Sequence, residues 1–268
     1  MRIAFIGGGT MAEAILNGVL KKKLTTPADV AVVEPVEARR TYLSKQYGVT
    51  VTDDAKAVAA TGDIVVLAVK PQDLPTAMAS FKGTLAASQA VLSIVAGMKI
   101  SAIRTGLSHD AVIRVMPNTP AQIGAAASVW TATPEVSAER LDDARSLLQA
   151  IGEEVQVADE KYVDMATGLS GSGPAYVFMF IESLTDAGVH VGLPRDMSAK
   201  LAVQTVIGSA QLVQQSGRHP AELRNMVTSP GGTTAEGTLV LEGSGFRASV
   251  IEAVEAAYEK ALLLGEEE

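Results

Sequence analysis

The chain has 268 residues, 47% of them apolar, with 30 acidic against 22 basic side chains, a net charge of −8 and no cysteine. This composition supports a substantial core and excludes a disulfide framework, a thiolate metal site and a cysteine nucleophile; no metal site is expected. Lys and Arg run together only at Lys21 to Lys23, so nucleic acid is not expected as a partner. Redox chemistry, if any, has to come from a bound cofactor. The start, Met1-Arg2-Ile3-Ala4-Phe5-Ile6, meets glycines too soon for a signal peptide. No stretch approaches the roughly 20 apolar residues of a membrane span. A cytoplasmic protein without a membrane partner is the expectation.

In chain order, short β-branched runs occupy residues 3–6, 30–33, 64–68, 90–95, 111–115 and 128–131, with 155–157 as an edge. Helical patterns such as 11–22 and 136–151 lie between them, the second opened by Ser137. The alternation predicts a doubly wound α/β domain with a parallel sheet over residues 1–158. Beyond Asp159 the strand-like runs cease. Pro174, Pro194, Pro220 and Phe246 open helical segments, and Gly265 stops the last. Residues 159–268 therefore read as an all-helical domain. Its helices carry apolar residues over a wide arc, including Val177, Phe178, Phe180, Ile181 and Leu184, then Leu201, Val203, Val206, Ile207 and Leu212. Such faces suit a second copy of the chain, giving a homo-oligomer that is at least a dimer; packing on the first domain is the alternative.

Ile6 leads straight into Gly7-Gly8-Gly9-Thr10-Met11-Ala12, with the spacing G-x-G-x-x-A between a strand and a helix. The first glycine permits a tight turn, the second lets the backbone approach a pyrophosphate, and the small third residue lets helix and strand pack closely. The helix N-terminus then offers free N–H groups to phosphate. Glu34 ends the second run roughly 20 residues on, where an acid can accept ribose hydroxyls. The alternative is a merely structural turn. Glu34 would repel a 2′-phosphate and favours NADH over NADPH, while Arg39 and Arg40 pull the other way.

Ligands of open parallel sheets sit beyond the carboxyl ends of the strands. Three further ends carry unusual residues: Ala68-Val69-Lys70-Pro71, Ala96-Gly97 and Met116-Pro117-Asn118-Thr119-Pro120. Gly97 allows close backbone approach. Lys70 could meet a cofactor phosphate or a bound water, or be a solvated loop lysine. Asn118 could donate to nicotinamide or cap the next turn. His109, His190 and His219 fall in turn or helix-end contexts and are expected at the surface or as caps.

Two polar glycine-rich loops interrupt the helical half: Gly168-Leu169-Ser170-Gly171-Ser172-Gly173-Pro174-Ala175-Tyr176 and Thr228-Ser229-Pro230-Gly231-Gly232-Thr233-Thr234. The second leads into a helix, so its amides and hydroxyls form a cradle for a carboxylate. With the Phe5 to Met11 segment, Ala68-Val69-Lys70-Pro71, Met116 to Pro120 and His219-Pro220, these loops make the chain resemble the pyrroline-5-carboxylate reductases along nearly its whole length. That resemblance implies a Rossmann-type domain followed by a helical dimerisation domain, NADH or NADPH as cofactor, and reduction of a cyclic imino acid, 1-pyrroline-5-carboxylate, to L-proline. It implies cofactor contacts at Ile6, Gly7, Gly8, Gly9, Thr10, Met11, Glu34, Ala68, Val69, Lys70, Pro71, Ala96, Gly97 and Asn118. It places the substrate carboxylate on Ser229, Gly231, Gly232, Thr233 and Thr234, with Thr234 also orienting the ring nitrogen as the catalytic residue and Glu160 nearby. Ala55, Met226 and Gly237 depart from the family's usual asparagine, asparagine and alanine.

A protonated imine is already electrophilic, so hydride transfer needs positioning more than a strong general acid, and a histidine is not required. The nearest rival, a β-hydroxyacid dehydrogenase, has to move a proton at an alcohol and uses a helix lysine. The stretch 176–183 holds none. A non-catalytic NAD(P)-binding protein on the same scaffold would not need the carboxylate cradle.

Overall fold

In the computed structural model, which describes residues 1–265, the first strands show how the apolar runs become a two-faced sheet. Strand β1 (Ile3–Ile6) sends Ile3 and Phe5 into one core and Ala4 and Ile6 into another. Alternation in a strand buried on both faces produces this split. Strands β2 (Val30–Val33), β3 (Thr50–Thr52), β4 (Ile64–Leu67), β5 (Ala90–Ser93), β6 (Val112–Met116), β7 (Ala126–Ala132) and β8 (Gly152–Gln156) complete the sheet. Their order is β3-β2-β1-β4-β5-β6-β7-β8.

Helices α1 (Thr10–Lys21), α2 (Glu37–Tyr47), α3 (Ala55–Ala59), α4 (Leu74–Phe81), α5 (Ile100–Leu107) and α6 (Ala138–Gln149) connect these strands. One core joins Ile15, Leu16 and Val19 of α1 to Trp130, Leu147 and Leu148; the other joins Leu74, Phe81 and Ile103 to Val65 and Leu67. Ser137 caps α6 as expected, its hydroxyl accepting from the Arg140 amide.

The sheet departs from the expected one in two places. The short strand β3 was not foreseen, because Thr50-Val51-Thr52 is half-exposed and has no apolar run to announce it. Strand β7 runs antiparallel to β6, with Val115 opposite Trp130. Only residues 117–125 join these two strands, and a parallel return needs a crossover of a dozen or more residues.

The chain continues as α7 (Lys161–Ala166), a π-helical turn (Thr167–Gly171), α8 (Gly173–His190), α9 (Arg195–Ser216), α10 (Pro220–Met226), α11 (Thr233–Gly243) and α12 (Phe246–Leu264). Residues 168–176, expected as a loop, are thus the π turn and the start of α8. Ser172 N–H donates to Thr167 O at 2.9 Å, the wide bond that absorbs the extra residue.

Compactness divides the chain at a different point from secondary structure. One unit is Met1–Ser172 together with the segment from Ala256 onward, and the other is Gly173–Glu255. Helix α7 stays with the sheet because buried Arg114 of β6 holds it there. In the second unit α8 and α9 pack so tightly that a Cβ on Gly188 would lie 2.0 Å from Ser198 Oγ. That hydroxyl donates to Thr185 O at 2.7 Å. Much of this unit's apolar surface stays uncovered within the chain: Phe178, Met179, Leu239, Val240 and Ile251 are each at least 60% exposed. Among the described residues no helix is long and apolar enough to cross a membrane.

Candidate active site

The glycine turn is shaped by close contacts. Gly7 has φ +103°, and a Cβ there would lie 2.7 Å from Ala68 O, so only glycine brings the turn against the end of β4. A Cβ on Gly8 would strike Leu43 Cδ1 at 2.7 Å, whereas one on Gly9 would meet nothing within 4 Å. Gly9 is exposed and ends the turn as the residue before α1. The first bond of α1 runs from Glu13 N–H to Gly9 O, which leaves the amides ahead of it free of intrahelical partners. Ile6 is buried, Thr10 exposed and Met11 half-buried around that end. The turn fits a dinucleotide pyrophosphate at its exposed Gly9 end, where an added Cβ would meet nothing and a helix N-terminus stands behind.

Glu34 is buried at the end of β2, one oxygen accepting the Gly8 amide at 3.1 Å and the other the Val36 amide at 2.9 Å. Its carboxylate therefore borders the glycine turn, where adenosine ribose would lie. Arg39 donates through Nε to Gly8 O at 2.7 Å and through Nη2 to Glu13 at 2.5 Å. Arg40 donates to the carbonyls of Glu34 and Pro35 at 2.9 and 2.7 Å. Glu13 also receives the hydroxyls of Tyr42 and Tyr47. Burial raises its pKa, but those two phenols and Arg39 outweigh it and hold the carboxyl below the ordinary glutamate value. Burial and the neighbouring Glu13 push the Tyr47 phenol well above the usual tyrosine value.

At the other strand ends the structure sorts the expected residues. Ala68 and Val69 border Gly7, Lys70 is exposed, and Pro71 opens a short 3-10 turn. Ala96 is half-buried. Gly97 has φ +77°, and the close neighbour its missing side chain admits is Leu264, whose Cβ would lie 2.8 Å from an added Cβ. Asn118 makes no side-chain cap. Its Nδ2 donates to Ser170 O and its Oδ1 accepts from Ala127 N–H, both at 2.9 Å, so both ends of the amide are engaged within the protein. Glu160 accepts from Ile100 N–H and from Arg114 Nη1, both at 2.8 Å, and Arg114 Nη2 reaches Asp164 at 2.5 Å. The only sequence signal for this cluster was an arginine inside an apolar strand, which has to be paired when buried. Nothing in the sequence brought Glu13, Tyr42 and Tyr47 together.

The histidines divide. His109, expected at the surface or as a cap, is buried with Nε2 2.9 Å from Gln89 O, because it follows α5 at the edge of a core. His219 caps α10, its Nδ1 accepting from the Ala221 amide. His190 is exposed at the end of α8.

In the helical unit, Ser229 to Gly232 form a tight turn closed by Gly232 N–H to Ser229 O at 3.0 Å. Gly231 takes φ +66° behind Pro230, the pattern of a type II turn. Ser229 Oγ lies over Gly232, where a Cβ would come within 2.4 Å of it. Gly232 then precedes α11 with no side-chain cap. The Thr233 and Thr234 amides thus open the helix beside the exposed Ser229 and the half-buried Thr234. A bend of this kind offers hydroxyls and helix amides to an anion. No group of three or more His, Cys, Asp or Glu able to hold a metal ion occurs among the described residues.

Residues 160–264 match the family described as pyrroline-5-carboxylate reductase dimerisation, and residues 2–97 the family described as NADP oxidoreductase coenzyme F420-dependent. A pyrroline-5-carboxylate reductase of Synechocystis is 46% identical over 99% of this chain and 98% of its own. The chain belongs to the pyrroline-5-carboxylate reductase family. The Escherichia coli reductase is 40% identical over 97% of this chain and 96% of its own. Among solved structures, the reductase of Coxiella burnetii superposes with a TM-score of 0.91 at 33% identity, covering 98% of each chain. That of Plasmodium falciparum, described with NADP bound, superposes with 0.90 at 32% identity, covering 99% of this chain and 98% of its own. An N-terminal dinucleotide fold and a C-terminal helical dimerisation domain are the family architecture in this chain.

Proposed function

We propose that this protein reduces the carbon–nitrogen double bond of 1-pyrroline-5-carboxylate to give L-proline, the last step of proline biosynthesis. It would act as a homodimer or larger homo-oligomer, with NADH preferred over NADPH. The observation that carries this reading is similarity to pyrroline-5-carboxylate reductases over essentially the whole chain at up to 46% identity. The uncovered apolar faces of the helical unit support self-association.

A reduced nicotinamide supplies the hydride. Gly7, Gly8 and Gly9 admit the pyrophosphate to the N-terminus of α1, and Glu34 accepts the ribose hydroxyls while repelling a 2′-phosphate. Ser229 Oγ and the amides of Thr233 and Thr234 hold the substrate carboxylate, with Gly231 and Gly232 setting the bend. The Thr234 hydroxyl orients the ring nitrogen. That nitrogen enters protonated, so the electron pair arriving at carbon leaves a neutral amine and no side chain has to give up a proton. Fixing the imine at both its carboxylate and its nitrogen leaves one carbon face to react, and positioning of this kind lowers the barrier substantially.

The test is consumption of reduced nicotinamide with 1-pyrroline-5-carboxylate, run with each cofactor beside an acyclic 2-keto acid. The imine alone should be turned over, faster with NADH. Reduction of the keto acid instead would replace this function with dehydrogenase chemistry.

A further inference from the structure

The reaction leaves one cluster unused. Glu13 lies on α1 one turn past the glycines, and Arg39, Tyr42 and Tyr47 converge on its carboxylate at 2.5, 2.9 and 2.8 Å. Arg39 is fixed three ways: to Glu13, to the carbonyl of Gly8 at 2.7 Å, and over the Tyr42 ring, 5.1 Å from its centroid. Gly8 is also the residue whose amide meets Glu34. Arg39 therefore stands beside the acid assigned to the adenosine ribose, where a guanidinium would grip a 2′-phosphate in an NADP-type site. Here its Nε and Nη2 are committed to Gly8 O and to Glu13, which fixes where the guanidinium points. Arg40 is held on the carbonyls of Glu34 and Pro35.

We propose that Glu13, braced by Tyr42 and Tyr47, sequesters Arg39 and makes the adenosine subsite select a ribose with a free 2′-hydroxyl over one carrying a 2′-phosphate. The inference rests on the NADH preference above and gives it a second cause. Repulsion from Glu34 alone could be cancelled by a cation swinging in beside it; the lock withholds that cation. Only 28% of the Arg39 side chain and 20% of the Glu13 side chain are exposed, so water competes weakly for the pair. The phenols and Arg39 keep Glu13 ionised at neutral pH, which keeps the lock closed. Glu13 is a positioning residue, acting on the nucleotide only through Arg39.

The experiment is calorimetric titration of the full-length protein with 5′-AMP and with adenosine 2′,5′-bisphosphate. It needs neither substrate nor turnover. The unaltered protein should bind 5′-AMP more tightly. Glu13→Gln keeps the side-chain volume but frees Arg39. It should tighten the bisphosphate about tenfold, leave 5′-AMP within about twofold, and shift the kcat/KM ratio toward NADPH in step. Adding Arg39→Ala to Glu13→Gln should abolish the gain, and Glu13→Ala repeats the test if the glutamine variant melts early. An unchanged ligand ratio in folded Glu13 variants, or a gain that survives loss of Arg39, overturns the lock while leaving the NADH preference standing. Tighter binding of the bisphosphate by the unaltered protein overturns both.

Discussion

Asp164→Asn probes the ion cluster that holds α7 to the sheet. The Arg114 side chain is 2% exposed and that of Asp164 10%, at 2.5 Å, whereas Glu160 is 29% exposed at 2.8 Å. The substitution preserves volume but leaves the guanidinium with one partly solvated counter-charge. Removing one partner of a desolvated pair costs about 3–5 kcal/mol, and the remaining Glu160 puts the expected loss near the lower end, about 3 kcal/mol. At about 2–4 °C per kcal/mol for a unit of this size, Tm should fall by about 6–12 °C. Glu160→Gln keeps a carbonyl oxygen to accept from the Ile100 amide and should cost about 1–2 kcal/mol. Scanning calorimetry at one fixed protein concentration is the assay, because self-association links Tm to concentration. An Asp164→Asn Tm within about 2 °C of the unaltered protein would refute the buried-charge reasoning. So would a larger loss from Glu160→Gln than from Asp164→Asn.

Three further outcomes are expected. Gly7→Ala puts a Cβ 2.7 Å from Ala68 O on a backbone at φ +103°, and should weaken NADH binding at least about tenfold by fluorescence titration; undiminished affinity would remove the close approach. Thr234→Ala should lower kcat/KM for the imine about 10- to 100-fold, the loss of a hydrogen bond to a charged group worth about 1.5–3 kcal/mol. Its melting and cofactor affinity should stay nearly intact, and unchanged turnover would take Thr234 out of the chemistry. Glu13 has its folded pKa depressed below 4.5, so its contribution to stability is complete above that pH and drains as pH falls through the lower folded value. Urea midpoints between about pH 5 and pH 3 should therefore decline less steeply in Glu13→Gln, and parallel curves for the two proteins would contradict the shift.

Much of the architecture was legible because its signals are local. Residues 3–6 and 30–33 became strands over the expected span, and Pro220 and Phe246 open helices where the sequence puts them. Strand direction was harder to see, although the short 117–125 link gave a readable reason for the antiparallel β7. The glycines of 168–176 looked like a loop, yet Gly168 is buried and Gly171 lies against Met116, so packing drew the segment into a π turn. Among site residues, Gly7 and Gly231 announced themselves by conformations that favour glycine. The protein contacts of Asn118 and Gly97 were not legible, since an amide or a missing side chain looks the same whether its neighbour is a ligand or the protein itself.

What the linear order determined by itself is the succession of periods, the glycine turn with Glu34 after it, and the Ser229 to Thr234 bend. Each needs only residues close in sequence, or a spacing set by one βαβ unit. The partners of Arg114 lie 46 and 50 positions away, and Arg39 finds Glu13 across 26. Charges so separated attract only after the chain has brought them together and excluded water, so the folded structure alone decided which acids neutralise which arginines.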